Sequence, residues 1–298
     1  MSLTVQYINY WKDPFNDRWL LKFLKYHFKD YKVIEIKNKA KCDILIASVN
    51  GKLQDIKKHK AKCKIFYYGE NLNRYGEYTN IDRLCQFFDL IVGFLPTNPN
   101  KKTLRFPLWF MYYPFYEMTD NENNIIDYIQ NEREKNQKHN KPFFASCVAR
   151  HSRLGIRKKI CDKMSKYGKI MYPGKFRKNC SIGSKQVDKV NFLKSVKYNI
   201  CPENSKFPGY HTEKIFHALE AGTVPIYWGV GPPEKDIINP ACYQFINIGN
   251  DKLANEQIKK ATNNYNKIQS FPIFTENAKK VINDYYMSLI KRIEKYIE

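Results

Sequence analysis

The chain has 298 residues, with 51 Lys and Arg against 29 Asp and Glu, a formal net charge of +22 with histidine neutral. That length suits two domains or one large one. A hydrophobic content of 43%, with 19 Phe and 22 Tyr, excludes a disordered chain of low hydrophobicity and high charge. The charge invites a nucleic-acid partner, because clustered Lys and Arg release counterions from phosphates. Here the basic residues are dispersed, and the densest runs, Lys57-Lys58-His59-Lys60 and Arg157-Lys158-Lys159, sit in no nucleic-acid-binding motif. Heavy use of Lys, Asn, Ile and Tyr is also what an AT-rich genome imposes, so part of the charge reads as compositional. A solvated basic surface with no nucleic acid bound is the expectation.

The eight cysteines, Cys42, Cys63, Cys85, Cys147, Cys161, Cys180, Cys201 and Cys242, form no C-x-x-C pair. A zinc ribbon or redox motif is thereby disfavoured, and buried free thiols in a reducing compartment are expected. Met1 to Tyr10 lacks the apolar core of a signal peptide, and no later stretch has the roughly 20 apolar residues of a membrane span. A cytoplasmic location is expected on these grounds.

In chain order, residues 3–9, 32–37, 42–48, 64–68 and 89–94 are short apolar or β-branched runs suited to strands. Helix-compatible segments lie between them, among them Asp17 to Phe28, where Trp19, Phe23 and Tyr26 share a face. This alternation predicts a parallel sheet with crossover helices. Residues 120–141 are polar apart from Ile125, Ile126, Tyr128 and Ile129, which predicts an exposed helix and linker between domains spanning 1–140 and 141–298. A second alternation follows, with strands at 143–149, 169–172, 198–201, 223–228 and 243–248 and helices near 155–167, 187–196 and 212–221. Thr275 to Ile297 then aligns Val281, Ile282, Tyr285, Tyr286, Leu289, Ile293 and Tyr296 in one helical stripe flanked by lysines. Such a helix packs on the protein's own domains or, being basic, offers peripheral contact with an acidic membrane surface.

The chemistry concentrates between Cys201 and Gly229. A strand ends at Cys201, a polar loop with Pro208 and Gly209 follows, and Thr212 is placed to cap a helix that Gly222 can stop in a left-handed conformation. Asn204, Tyr210, Glu213 and Lys214 therefore lie between the carboxyl end of a strand and the amino end of a helix, where ligands bind in open α/β sheets. A helix amino terminus with an adjacent lysine suits a phosphate. Read alone, Glu213 could instead complement the helix dipole and Lys214 could be a solvated surface residue.

Taken whole, the segments Glu203-Asn204-Ser205, Tyr210-His211-Thr212-Glu213-Lys214 and Val224-Pro225-Ile226-Tyr227-Trp228-Gly229 resemble the donor-binding motif of the α-1,3-fucosyltransferases, including the bacterial enzymes that make Lewis-type antigens. Pro202 stands where that family usually carries an aromatic residue. The resemblance continues in Gly69-Glu70-Asn71, in Asp89 to Phe94, in Leu104 to Trp109, in Phe144 to Val148 and in Gly155-Ile156-Arg157-Lys158. It implies an α/β fold of the GT-B type, two Rossmann-like domains facing a cleft, and an inverting transfer of L-fucose from GDP-fucose to a hydroxyl of an N-acetylglucosamine-containing glycan. By the same resemblance Glu70 is the catalytic base. Arg157 and Lys214 share the diphosphate charge, Tyr210 and Glu213 hold ribose or fucose hydroxyls, and Asn204 contacts the donor.

Cationic side chains and a helix end can stand in for Mg²⁺ at the leaving group, and no Asp-x-Asp follows an apolar strand, so no metal or cofactor is expected beyond GDP-fucose as donor substrate. His211 and His217 lack a third ligand at metal spacing. The partners expected are a nucleotide sugar and an oligosaccharide acceptor. Acceptor choice is assigned to the loops Asn9 to Asn16 and Asn71 to Asn80, whose Tyr10, Trp11, Phe15 and Tyr75 could stack on sugar faces or equally belong to the core. Two alternatives stand beside this reading: a two-domain transferase using another nucleotide sugar, and a basic nucleic-acid-binding protein.

Overall fold

The computed structural model describes residues 1–11 and 18–298, so the expected helix start at Asp17 and the expected acceptor contact at Phe15 lie outside the described residues. Along the chain come β1 (Ser2–Ile8), α1 (Trp19–His27), β2 (Lys32–Ile36), β3 (Lys41–Ala47), α2 (Leu53–Lys57), β4 (Lys60–Tyr67), α3 (Ile81–Leu84), β5 (Leu90–Gly93) and β6 (Thr103–Arg105). Then follow α4 (Ile125–Gln137), β7 (Phe143–Ser146), α5 (Ile156–Met164), β8 (Ile170–Met171), α6 (Gln186–Leu193), β9 (Val196–Ile200) and α7 (Glu213–Glu220). The last elements are β10 (Val224–Tyr227), β11 (Gln244–Phe245), α8 (Asp251–Asn263), α9 (Tyr265–Ser270) and α10 (Ala278–Ile297).

The chain forms two compact units whose limits differ from the expected 1–140 and 141–298. The first unit comprises residues 1–118, 208–210 and 282–298, and the second 119–207 and 211–281. The physical reason lies in where side chains are buried. From Ile282 onward α10 buries Ile282, Tyr286, Leu289 and Ile293, with the Tyr286 ring against Phe23, Phe106 and Phe110 of the first unit. The apolar stripe that a membrane-surface helix would need is thus spent on a protein core. Among the described residues no helix is long and apolar enough to cross a membrane.

The first unit holds a six-stranded sheet in the order β2-β1-β3-β4-β5-β6, parallel throughout. Ile44, Leu45 and Ile46 are all fully buried, the continuous apolar pattern of a strand covered on both faces. The second unit holds a five-stranded parallel sheet in the order β11-β10-β9-β7-β8. In each sheet the second strand pairs on one side of the first and the third strand on the other. This creates a switch point between β1 and β3 in the first unit and between β7 and β9 in the second, and the crevice beyond the carboxyl ends at such a point is the usual ligand site.

The segment expected as an exposed linker proves to be structural. Helix α4 buries Ile125 and Ile129, but also Arg133 and Asn136. Arg133 donates to the carbonyls of Ile268 (3.4 Å) and Gln269 (3.1 Å), and Asn136 to that of Glu220 (2.9 Å). These carbonyls belong to the last turns of α9 and α7, which a helix leaves without intrahelical partners. The polar residues are therefore buried because they terminate two neighbouring helices. Gly222 ends α7 at φ +64°, as expected, and a Cβ there would lie 2.6 Å from the Gln137 nitrogen of α4. Helix α8 is absent from the sequence reading; Ala254, Ile258 and Ala261 form its narrow buried face, and Asn250 caps it by accepting from the Leu253 N–H at 3.0 Å.

Gly222→Ala combines a left-handed backbone with a backbone clash, and it is expected to destabilise the protein by about 2–4 kcal/mol. Thermal unfolding should show a midpoint lower by roughly 5–10 °C. Gly231→Ala, where a Cβ meets nothing within 4 Å, serves as the control and should unfold with the parent protein.

Candidate functional site

At the switch point of the second unit, Ser146 at the end of β7 donates to Asn199 Oδ1 of its paired neighbour β9 at 3.0 Å. The chain leaving β7 reaches α5 through Gly155, held at φ +70°. Arg157 follows in the first turn. Its guanidinium donates to Asn204 Oδ1 at 2.6 Å and to the His151 carbonyl at 2.5 Å, and the residue is only 8% exposed. Both acceptors are neutral, so Arg157 is oriented without having its charge cancelled. His151, Ser152, Arg153, Arg157, Asn204 and Trp228 line a pocket here, and Lys206 Nζ lies 5.5 Å from the centre of the Trp228 ring. Two arginines, Arg153 and Arg157, on a concave wall suit an anion.

Lys214 is differently placed. Its ammonium donates to Glu203 Oε2 at 2.8 Å and to Thr212 Oγ1 at 2.7 Å. The Glu203 side chain has no solvent exposure. It also accepts from the Thr212 N–H and hydroxyl, both at 2.8 Å, and from the Tyr227 hydroxyl at 3.3 Å. Thr212 stands at the amino end of α7 as expected, but its hydroxyl makes no cap hydrogen bond to the helix. The buried carboxylate takes that hydroxyl instead.

Glu213 points to a second lysine, Lys189 of α6, at 3.5 Å. Burial pushes the Glu213 carboxyl up, but the fields of Lys214 and Lys189 outweigh it and bring the pKa down to about 2. Lys189 also donates to His217 Nδ1 at 3.1 Å. Burial, reinforced by that lysine, holds the His217 imidazole well below its usual range, so the ring is neutral near pH 7. His211 Nδ1 accepts from the Glu234 N–H at 3.1 Å. Among the described residues no group of three or more His, Cys, Asp and Glu side chains is arranged to hold a metal ion.

In the first unit Glu70 follows β4, the strand between β3 and β5. Gly69 precedes it where a Cβ would lie 2.6 Å from Leu108 Cδ1, so the turn passes close beneath that side chain. Glu70 is partly exposed and accepts at Oε2 from Arg74 Nη1 at 3.3 Å and from the Tyr210 hydroxyl at 3.1 Å. At the end of β1, Tyr10 contacts Tyr7 and Trp11, and Trp11 contacts Tyr67, in edge-on pairs with centroids 4.9–5.8 Å apart. Tyr75 is partly buried.

Of the residues singled out from sequence, Arg157 meets Asn204, Tyr210 meets Glu70, and the neighbours Glu213 and Lys214 pair with different partners. Glu203 and Lys189 were not singled out. Glu203 lay inside the recognised motif. Lys189 sits 24 residues upstream of Glu213, and no local spacing links them.

The profile described as "Glycosyltransferase family 10 (fucosyltransferase) C-term" matches residues 134–269, and that of the "Alpha-(1,3)-fucosyltransferase FucT N-terminal domain" matches residues 5–112. An α-(1,3)-fucosyltransferase FucT from Helicobacter pylori is 27% identical over 72% of this chain and 47% of its own length. A putative fucosyltransferase-like protein from Arabidopsis thaliana is 35% identical over 36% of this chain and 19% of its own. The chain therefore spans about half the length, or less, of the curated relatives it matches. Among solved structures, an α1,3-fucosyltransferase with GDP-fucose superposes with a TM-score of 0.68 at 22% identity, covering 100% of this chain and 90% of that one. Anabaena HepE in complex with UDP and glucose follows at 0.57 and 9% identity, covering 98% of each chain. The fold is the GT-B class of α/β protein, with two parallel-sheet domains. With fucosyltransferase profiles matching across both of its sheets, the chain belongs to the fucosyltransferases of glycosyltransferase family 10.

Proposed function

We propose that this chain is an inverting fucosyltransferase that moves L-fucose from GDP-fucose to a hydroxyl of an N-acetylglucosamine-containing glycan in α-1,3 linkage. The observation that carries the reading is Arg157, a nearly buried arginine held by neutral acceptors at the switch point of the second sheet, in a chain of this family. A solved structure with the same fold is an α1,3-fucosyltransferase with GDP-fucose.

In this reading the acceptor oxygen attacks C1 of fucose while its proton passes to the Glu70 carboxylate. The bond from C1 to the diphosphate oxygen breaks, and its electron pair leaves with GDP. Arg157 meets the growing negative charge with a fork of two N–H donors. Lys214, already balanced by Glu203, acts there as an oriented hydrogen-bond donor more than as added charge. Asn204 steers the guanidinium. Glu213, ionised across the working pH range, can only accept hydrogen bonds, which suits sugar hydroxyls.

A second reading, transfer from a different nucleotide sugar, draws support from the fold shared with HepE in complex with UDP and glucose. Thermal shifts separate the two, since a ligand that binds only the native state raises its melting point. GDP should stabilise the protein more than UDP or CMP. Incubation with GDP-fucose and a defined panel of N-acetylglucosamine-containing acceptors, followed by linkage analysis of the product, tests the proposal directly. It fails if the protein neither binds GDP nor transfers or hydrolyses fucose.

Glu70→Gln should lower kcat by about 100- to 10,000-fold while GDP binding, measured by calorimetry, changes less than about twofold. Arg157→Ala should weaken GDP binding by roughly 10- to 100-fold, and Arg157→Lys should recover only part of it because the fork is lost. Glu213 has a folded pKa below its unfolded one, so its contribution is present above about pH 4.5 and fades as pH falls towards 2. That contribution is on the order of 3 kcal/mol at neutral pH. Denaturant titrations at pH 7 and pH 3 should accordingly show a smaller stability loss on acidification for Glu213→Gln than for the parent.

A further inference from the structure

Glu203 and Glu213 are both carboxylates of the second unit's site, and their surroundings differ. Glu203 accepts from four donors. The Glu213 side chain keeps 14% of its surface exposed, and its partner is the Lys189 ammonium, 3.5 Å from Oε1. Among the described residues no other side chain donates to it. That distance is long for a charge-assisted hydrogen bond, so the field of the lysine holds the carboxylate while most of its acceptor capacity stays open. A carboxylate withdrawn this far from water and so sparsely bonded is suited to take its missing donors from a ligand.

The lysine is itself held. Its Nζ donates to His217 Nδ1 at 3.1 Å, and because that ring is neutral the ammonium is directed without having its charge cancelled. Lys189 lies on α6 and Glu213 on α7, and the packing of these two helices sets how the side chains meet. Val190 and Leu193 of α6 share a buried cluster with Ala221, just past the end of α7. At the carboxyl ends of both helices the Lys141 ammonium donates to the carbonyls of Lys194 (2.9 Å) and Ala221 (3.2 Å). The Thr223 hydroxyl donates to the Leu193 carbonyl at 2.7 Å, and Asp188 closes the amino end of α6 by accepting from the Lys185 N–H at 2.9 Å. Lys189 is therefore carried to Glu213 by a framework fixed at both ends of its helix.

We propose that Lys189, seated on His217, is a positioning residue for Glu213 and through it for a sugar hydroxyl of the donor; this rests on the reading of Glu213 as a donor ligand and of the donor as GDP-fucose. The hydroxyl belongs to the ribose or to the fucose, and in either place the chemistry is the same, an O–H donating to a carboxylate. An acceptor that is already charged and oriented has less freedom to lose when the hydroxyl arrives, so the lysine acts on donor affinity.

The test uses the full chain and measures, by calorimetry without acceptor, the dissociation constants of GDP, 2′,3′-dideoxy-GDP and GDP-fucose. Two ratios are read: dideoxy-GDP over GDP reports the ribose hydroxyls, and GDP over GDP-fucose reports the fucose. Glu213→Gln should lower one of these ratios by about 10-fold, the size of a hydrogen bond to a charged group. Lys189→Met should lower the same ratio by about 5- to 10-fold, and Lys189→Arg, which restores the charge, should keep it within about threefold of the parent. The ratio that moves identifies which sugar carries the hydroxyl. Adding Lys189→Met to Glu213→Gln should leave that ratio where Glu213→Gln put it, because a residue acting through another is silent once that residue is gone. This double variant buries no uncompensated carboxylate and so keeps the test in hand if Lys189→Met alone fails to fold. Equal weakening of all three ligands by Lys189→Met, with both ratios at the parent values, would make the lysine purely structural and overturn the proposal alone. A further fall of the ratio in the double variant would make Lys189 a donor ligand in its own right and overturn it as well. If Glu213→Gln moves neither ratio, Glu213 is no donor ligand and the proposal falls with that reading, while GDP binding by the parent leaves the nucleotide assignment in place.

Discussion

A carboxylate with no access to water has to be surrounded by donors, and Glu203 organises the second unit's site around that requirement. Taking an ion out of water costs several kcal/mol unless its oxygens are fully satisfied. Four donors meet the need: a backbone N–H, a threonine hydroxyl, an ammonium and a phenol. They come from three residues. The first two belong to Thr212 at the start of α7, the third to Lys214 in its first turn, and the fourth to Tyr227 at the end of β10. The Glu203 N–H in turn bonds to the Trp228 carbonyl at 2.9 Å, extending the β9–β10 pairing into the loop. One buried charge therefore sets where the helix begins, where the lysine points and how the strand ends.

The charge pattern follows from this arrangement. Lys214 is balanced by Glu203, and Lys189 by Glu213. Arg157 alone among these cations is oriented by an amide oxygen and a carbonyl. In the proposed reading a diphosphate would meet the Arg157 guanidinium as a fork oriented by neutral acceptors, while Lys214 and Lys189 are already balanced by carboxylates. The formal charge of +22 has little to do with it. It is dispersed, and its local meaning depends on which few cations lack a carboxylate partner.

Much of this was legible in the sequence. The alternation of apolar runs and amphipathic segments marks the two parallel sheets, and the strands fall within a few residues of their expected limits apart from the early start of β4, the two-residue length of β8 and β11, and β6, which the reading does not include. The place of Asn204 beyond a strand end and ahead of a helix follows from the patterning, Arg157 is indicated by the family resemblance, and their common switch point emerges only from the strand order. Other features were not legible, for physical reasons. Helix α4 looks solvated by composition, but Arg133 and Asn136 are buried as terminators of other helices, and such a role depends on tertiary neighbours rather than periodicity. Glu203 carries no local sign of burial, since its donors lie 9, 11 and 24 residues ahead. The unit boundary was misplaced because α10 and Pro208–Tyr210 belong, by packing, to residues distant in sequence.

That discontinuity shapes how the protein can be made. The aromatic core of the first unit needs Tyr286, Leu289 and Ile293, residues translated after nearly all of the second unit. At the elongation rates of cells the first sheet must wait for many seconds with its aromatic face incomplete, while the second unit can close on contiguous chain apart from three residues. The first-synthesised half is then the last to be finished. During that interval Phe23, Phe106 and Phe110 lack the tyrosine ring that packs against them in the finished unit.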